Sequence, residues 1–197
     1  MSDGETIKVY DARAVDYAQM TDLENTADPR LEAFIAAVPT AGRVLDVGCG
    51  PGRAAARMAQ AGLRVDATDA SSEMVSMAGN AKGVTAWQAA FDEISGDAIY
   101  DGIWANFSLL HAPRSDMPRH LAALRTALKP GGQFHLGMKL GTGQARDGIG
   151  RLYTYYIQPE LTDLLTGAGF IVTDAVAGRG LGLDGTMADW ISLAAHG

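Results

Sequence analysis

The chain has 197 residues, of which 47% are hydrophobic and 20% are charged, and this composition fits one globular domain over residues 1–197 with a sizeable core. Lys and Arg total 16 against 23 Asp and Glu, and the resulting net charge of -7 disfavours a nucleic-acid partner. The single cysteine excludes an intrachain disulfide framework, and the lack of a signal-like or membrane-spanning apolar run predicts a cytoplasmic protein with no membrane partner.

The first 38 residues are predicted to be helical. Between Val9 and Met20, apolar and aromatic residues recur at helical spacing, which predicts one or two short helices. Asp28 and Pro29 then supply an N-cap and a first-turn proline for a helix that Pro39 ends. Tyr10 and Tyr17 each have two interpretations at this stage, a core residue or a residue that faces a pocket.

A glycine-rich turn joins the first predicted strand, over residues 44–47, to a helix that begins at Arg53. The turn contains Gly48, Gly50 and Gly52. Glycine lets the backbone take left-handed angles and lets a ligand approach the main chain, and the N-terminus of the following helix favours an anionic group. The glycine spacing fits neither the dinucleotide fingerprint G-x-G-x-x-G nor the phosphate loop G-x-x-x-x-G-K-S/T.

This turn resembles the D-x-G-x-G-x-G motif of the class I S-adenosylmethionine-dependent methyltransferases. The motif is matched by Asp46, Gly48, Gly50 and Gly52. The resemblance implies that the loop wraps the methionine end of the cofactor S-adenosylmethionine, with the cofactor's amino group near Asp46. It places Cys49 on the cofactor side as well, where we expect the thiol only to pack. The alternative is a glycine-rich turn without a ligand.

The second predicted strand, over residues 63–68, ends at Asp69. Ligands of α/β folds bind at the carboxyl ends of the parallel strands. Asp69 stands where the family resemblance places the carboxylate that binds the ribose hydroxyls. The alternative role of Asp69 is to cap the helix that begins at Ser71. The resemblance also implies that Ala70 and Met74 flank the adenine.

The segment after the third predicted strand, residues 83–88, departs from the family pattern. Many members of the family place an acidic or polar residue next to the adenine amino group, whereas this chain has Ala90 followed by Phe91 and Asp92. Either the backbone of Ala90 and Phe91 contacts the adenine or Asp92 does. Phe91 has a second interpretation as a core side chain.

The segment from Tyr100 to His111 contains the fourth predicted strand and the loop at its carboxyl end. Its pattern Y-D-G-I-W-A-N-x-S-L-L-H resembles the corresponding motif of small methyltransferases, including the tellurite-resistance-like branch. The resemblance places Asn106 beside the cofactor and His111 beside the methyl acceptor. Histidine, with an unperturbed pKa of about 6.5, suits proton removal near neutral pH. A structural role is the alternative for His111, and the lack of a carboxylate cluster after this strand predicts no metal site.

The chain after His111 is predicted to continue the same α/β pattern. A helix over residues 114–128 leads through a turn to a fifth strand that ends at Lys139. Glycines and polar residues predict a mobile loop on the substrate side over residues 140–156. The candidates for binding an anionic or aromatic substrate are Lys139, Arg151 and Tyr155. The alternative is a strand or turn with one aromatic face buried.

Together these features predict a Rossmann-like, doubly wound α/β sheet of about seven strands, mostly parallel with an antiparallel last strand and with helices on both faces. Residues 1–38 are expected to form a helical lid. The predicted function is direct in-line methyl transfer from S-adenosylmethionine to a small molecule. The alternatives are a tRNA- or protein-directed methyltransferase and a non-catalytic, cofactor-binding regulatory module.

Overall fold

The computed structural model describes residues 3–23 and 28–197. The helices are α1 (Gly4–Ala12), α2 (Ala14–Leu23), α3 (Pro29–Ala37), α4 (Arg53–Gln60), α5 (Ser72–Ala78), α6 (Met117–Ala127) and α7 (Gln158–Gly167). The strands are β1 (Arg43–Val47), β2 (Arg64–Asp69), β3 (Val84–Gln88), β4 (Tyr100–Asn106), β5 (Leu128–Lys139), β6 (Gln144–Arg146), β7 (Leu152–Thr154), β8 (Ile171–Leu181) and β9 (Met187–His196). None of the helices within these described ranges is long and apolar enough to cross a membrane.

Seven strands form the main sheet in the order β3-β2-β1-β4-β5-β9-β8. The strands from β3 to β5 pair in parallel, whereas β9 is antiparallel to both of its neighbours. The order of the strands reverses between β1 and β4, because β2 and β3 extend the sheet on one side of β1 and β4 extends it on the other. The predicted doubly wound sheet with an antiparallel last strand is therefore confirmed.

Apolar side chains fill both faces of this sheet. On one face, leucines of α6 and α7 pack with Phe134 and Phe170, whose rings stack at a centroid distance of 4.3 Å. On the other face, α3 and α4 contribute Phe34 and Met58, and Phe34 contacts the ring of Trp104 edge-on. The two cores fix the sheet between helices and bring the carboxyl ends of β1, β2 and β4 to one edge.

The segment expected to be a loop over residues 140–156 contains a two-stranded hairpin. Strands β6 and β7 pair antiparallel, with Gln144 opposite Thr154. The turn between them is closed by Asp147, which accepts hydrogen bonds from the backbone N–H groups of Ile149 and Arg151.

One helix and one strand begin at residues other than those predicted. The helix predicted over 114–128 begins with a 3-10 turn, Arg114–Asp116, before α6, and β5 begins at Leu128 rather than after the predicted turn.

The final hairpin runs through glycines without a break in its pairing. Strand β8 continues past Gly178 and Gly180 to Leu181, which lies opposite Met187 of β9. Gly178 lies opposite Trp190, and a Cβ at Gly178 would approach the Trp190 ring to 2.3 Å. This glycine therefore makes room for an aromatic side chain within the strand pair instead of ending the strand.

The buried ion pair at the β6–β7 turn is expected to stabilise the fold. Arg151 Nη2 lies 2.7 Å from Asp147 Oδ2, with only 2% and 4% of the two side chains exposed. The substitution Arg151→Met should lower the free energy of unfolding by about 3–5 kcal/mol, because it leaves a buried carboxylate without its cation. The exposed pair between Arg179 and Asp189 provides the control, and Arg179→Met should change stability by less than about 1 kcal/mol. Urea unfolding of both variants makes the comparison, and equal effects would contradict it.

Candidate active site

A cavity of about 690 Å³ opens at the carboxyl ends of β1, β2 and β4. Residues of α1 and α2, including Tyr10 and Tyr17, line it from the N-terminal side. The volume lies within the range of roughly 300–1,000 Å³ that is typical of small-molecule sites. Crevices at this edge of a doubly wound sheet are the usual ligand sites of the fold.

The glycine loop forms the floor of this cavity. Gly48, Gly50 and Gly52 have φ angles of 66°, 53° and 85°, which side-chain-bearing residues rarely adopt. A Cβ at Gly48 would lie 2.3 Å from the Cβ of Ser108, and one at Gly52 would lie 2.6 Å from the backbone of Ala78. The loop therefore packs directly against the segment after β4 and against α5, and it presents main chain to the cavity.

Asp46 is the most unusual charged group in the cavity lining. Its side chain is buried, with 2% of the residue exposed, and its Oδ2 atom has no hydrogen-bond partner among the described residues. Burial, and to a lesser extent the negative charge of Asp69, raise the pKa of Asp46 from 3.8 to about 7. An unsatisfied buried acceptor of this kind fits a cationic donor from a ligand.

Asp69 connects the glycine loop to the start of α5. Its Oδ2 accepts a hydrogen bond from the backbone N–H of Gly50, and its Oδ1 accepts one from the N–H of Ser71, both at 2.9 Å. Burial raises the pKa of this carboxyl group as well. Asp69 lines the cavity, and each carboxylate oxygen keeps further acceptor capacity beyond these contacts.

His111 lies in a 3-10 turn after β4, and both of its ring nitrogens are engaged. Its Nδ1 is 2.6 Å from the carbonyl oxygen of Leu152, which only accepts, so Nδ1 carries the proton. The other nitrogen, Nε2, is therefore an acceptor, and the hydroxyl of Tyr10 at 2.8 Å donates to it. Arg151 Nη1 in turn donates to the Tyr10 oxygen at 3.0 Å. Burial lowers the pKa of His111 to about 4, so the imidazole is neutral at pH 7.

A family described as "Methyltransferase domain" matches residues 44–132, which include the glycine loop, Asp69 and the segment up to His111. The chain is 36% identical over 135 residues to the ubiquinone/menaquinone biosynthesis C-methyltransferase UbiE of Rubrivivax gelatinosus. The part matched to this relative is 64% of this chain and 53% of the curated relative, so the chain spans about half of that relative's length. Over residues 44–132 the chain is therefore similar to a methyltransferase domain.

Solved structures share the methyltransferase fold over nearly the whole chain. The 1,6-didemethyltoxoflavin-N1-methyltransferase of Burkholderia thailandensis, solved with 1,6-didemethyltoxoflavin and S-adenosylhomocysteine, has a TM-score of 0.79 at 24% identity, over 98% of this chain and 87% of that one. The [4+2]-cyclase SpnF has a TM-score of 0.68 at 20% identity, over 86% of this chain and 80% of that one. Because one of these proteins is described as a cyclase, the shared fold alone does not determine the chemistry.

Most of the predicted site residues line the same cavity. They are Asp46, Gly48, Cys49, Gly50, Asp69, Ala70, Met74, Phe91 and Asn106 for the cofactor, together with Tyr17 and His111. Tyr17 lies over the glycine loop, since a Cβ at Gly50 would be 3.4 Å from its ring. Ala90 is not part of the lining, and its backbone N–H donates to Glu93 Oε2.

The three basic and aromatic candidates for substrate binding lie outside the described lining. Arg151 is held by the buried carboxylate of Asp147 and is not available to clamp a substrate carboxylate. The ammonium of Lys139 lies 4.0 Å from the centre of the Tyr153 ring, on which Tyr155 also stacks. The expected substrate pocket is filled by these contacts, because the hairpin folds its aromatic side chains into the protein.

The sequence left Tyr10 open between the core and a pocket, and it gave no sign of Phe107 as a cavity residue. The partner of the Tyr10 hydroxyl is 101 positions away, so no local spacing signals their contact. Phe107 has a φ of 53°, an uncommon left-handed conformation for a residue other than glycine, and it lines the cavity next to Asn106. The pattern around Asn106 marked this loop as functional but gave no sign of its backbone conformation.

The raised pKa of Asp46 predicts that this carboxyl group lowers the free energy of unfolding of the free protein at neutral and higher pH. The folded protein holds this proton up to about pH 7, whereas an unfolded chain releases it near 3.8, so folding loses stability as the pH rises between these values. The substitution Asp46→Asn should therefore raise the free energy of unfolding at pH 8 by on the order of 1–3 kcal/mol and give no such gain at pH 4. Urea unfolding at both pH values measures this difference. The exposed Asp174→Asn is the control, and a gain for Asp46→Asn that is the same at both pH values would refute the assignment.

Proposed function

We propose that the chain binds S-adenosylmethionine in this cavity and transfers its methyl group to a small-molecule acceptor. The observation that carries the proposal is the buried, unpartnered Oδ2 of Asp46 beside the glycine loop. The cofactor has a cationic ammonium group and a cationic sulfonium centre, and the cavity offers carboxylates at the ends of β1 and β2. The similarity of residues 44–132 to a methyltransferase domain supports the same assignment.

The residues in the cavity fit the parts of this cofactor. Asp46 would hold the ammonium group through its unsatisfied oxygen. Helix α4 has no side-chain cap, so its first N–H groups suit the cofactor's carboxylate. Asp69 would accept the ribose hydroxyls, and the apolar side chains of Met74 and Phe91 would contact the adenine.

A small acceptor fits the architecture of the site better than tRNA or a protein. Helices α1 and α2 contribute lining residues from above the glycine loop and so limit the space beside the cofactor. The net charge of -7 also opposes the binding of a polyanion. Both methyltransferases described above have names that refer to small molecules, a toxoflavin precursor in one case and ubiquinone or menaquinone in the other.

The sulfonium of S-adenosylmethionine makes its methyl carbon electrophilic, so the protein's part in the reaction is chiefly to position the groups. The cavity residues hold the acceptor in line with the methyl group, at about 3–3.5 Å for a productive approach. The neutral His111 and the Tyr10 hydroxyl form the polar end of the cavity and can take a proton from the acceptor. A non-catalytic regulatory module would have no use for this proton path.

The first test is a calorimetric titration of the purified chain with S-adenosylmethionine, S-adenosylhomocysteine and NADH. We expect the two sulfur-containing ligands to bind and NADH not to bind. The substitution Asp69→Ala should weaken binding by about 1.5–3 kcal/mol, because a charge-assisted contact to the ribose is lost. Asp174→Ala, on the exposed face of β8, should leave affinity unchanged. Failure of wild-type protein to bind either ligand would overturn the proposal, and methylation of bulk tRNA would overturn its small-molecule part.

A further inference from the structure

We propose that the methyl acceptor is a neutral, planar compound whose reacting atom is a ring nitrogen or a phenolic oxygen that carries a proton, and that Tyr10 receives this proton. The inference rests on the proposed function and specifies the acceptor class for the same cavity. Three independent features support it, namely the aromatic walls, the distribution of charge and the direction of the hydrogen bonds around Tyr10.

The walls around the polar end of the cavity are aromatic. The rings of Tyr10 and Tyr17 meet edge to face at a centroid distance of 5.5 Å, and Tyr10 meets His111 in the same way at 5.4 Å. Phe107 lines the same cavity. Flat aromatic surfaces make their largest contact with another planar ring, in either offset-stacked or edge-to-face geometry. The shape of the site therefore favours a planar acceptor over a branched or saturated one.

The charge of the cavity disfavours an anionic acceptor. Three of the five carboxylates in the described lining have ion-pair partners, namely Asp3 with Arg146, Asp28 with Arg30 and Glu32 with Arg57. The other two, Asp46 and Asp69, lie beside the glycine loop. The cations nearest to His111 are engaged as well, because Arg151 is paired with Asp147 and Lys139 lies against the Tyr153 ring. A carboxylate or phosphate on the acceptor would therefore find neither of these two cations available to neutralise it.

The hydrogen bonds around Tyr10 run in one direction. Arg151 donates to the Tyr10 oxygen, and the Tyr10 hydroxyl donates to His111 Nε2, which cannot donate because Nδ1 holds the proton. The Tyr10 oxygen can therefore accept a hydrogen bond from a bound molecule, whereas His111 Nε2 already accepts one from Tyr10. An acceptor that carries N–H or O–H satisfies this arrangement.

The methyl transfer proposed here conserves atoms and charge. The nitrogen or oxygen of the acceptor attacks the methyl carbon, the new bond forms, and the carbon–sulfur bond breaks with its electron pair moving to sulfur. The acceptor's proton passes to the Tyr10 oxygen while the Tyr10 proton passes to Nε2 of His111. The resulting imidazolium, close to Arg151, then releases its proton to solvent. The products are the methylated acceptor, S-adenosylhomocysteine and one proton.

The weak basicity of His111 narrows the acceptor class further. With a pKa of about 4, the imidazole takes a proton only from an atom that becomes strongly acidic as it is methylated. Ring N–H groups and phenols meet this condition, since their acidity rises steeply once the bond to carbon begins to form. Aliphatic alcohols are much weaker acids, and aliphatic amines are already protonated at neutral pH, so neither suits this site.

A matched panel of acceptors tests the proposal with the full chain and saturating S-adenosylmethionine. The panel contains 2-naphthol and benzimidazole as neutral planar probes, 6-hydroxy-2-naphthoate as the anionic analogue and decahydro-2-naphthol as the saturated analogue. We expect kcat/KM for a neutral planar probe to exceed those of both analogues by at least tenfold, measured as S-adenosylhomocysteine released and as methylated product by mass spectrometry. Equal or faster reaction of an analogue would overturn the inference. So would a lack of reaction with every neutral planar probe by protein that binds S-adenosylhomocysteine, and that result would leave the cofactor assignment standing.

The role of Tyr10 is tested separately with Tyr10→Phe, which keeps the ring and removes the hydroxyl. We expect kcat to fall by about 10²- to 10⁴-fold, the range for loss of general base catalysis, with KM changed by less than about threefold. Affinity for S-adenosylhomocysteine should remain as in the wild type. Tyr100→Phe, a buried tyrosine outside the cavity, serves as the control and should retain kcat. Loss of S-adenosylhomocysteine binding by Tyr10→Phe, or an unchanged kcat, would overturn the assignment of Tyr10.

Discussion

The site depends on two carboxylates, the buried Asp46 and the partly buried Asp69, that lie at the ends of adjacent parallel strands. The charge of Asp69 raises the energy of the charged form of Asp46, and burial removes water that would stabilise both carboxylates. The backbone N–H groups of Gly50 and Ser71 satisfy Asp69, but nothing among the described residues satisfies Oδ2 of Asp46. The unsatisfied Asp46 carboxylate therefore destabilises the free protein, and a bound cationic group would relieve this effect. Loss of stability at a site that serves function is common in proteins.

The cavity is closed by contacts between parts of the chain that are far apart in sequence. Helix α1 is joined to the β6–β7 hairpin by a hydrogen bond from the Leu152 N–H to Thr6 and by an ion pair between Arg146 and Asp3. On the other side, the hydroxyl of Ser71 donates to Asp11 of α1. The ion pair is partly exposed, and such pairs contribute little to stability. Helix α1 is therefore held beside the cavity by polar contacts to the β6–β7 hairpin on one side and to Ser71 on the other.

The cofactor side was predictable from the sequence because its signals are local. A glycine loop after an apolar strand and a carboxylate at the end of the next strand are both readable within a few residues, and parallel pairing then brings Asp46 and Asp69 to one edge. The substrate side was not readable in this way. The sequence around Arg151 indicates a basic and aromatic segment, but only the fold reveals that Asp147 neutralises the guanidinium and that the hairpin buries Tyr153.

The cofactor side and the acceptor side differ in predictability because they are built from different parts of the fold. The cofactor side uses backbone geometry and strand ends that the fold itself supplies, and proteins described as a methyltransferase and as a cyclase share this fold. The acceptor end instead combines Tyr10 of α1, His111 of the turn after β4 and Leu152 of the hairpin. A change in any one of these three segments alters the direction of hydrogen bonding at His111 without disturbing the glycine loop. Under the function proposed above, the packing of these three segments would determine which acceptor fits, whereas the cofactor side would depend on the glycine loop and the strand ends.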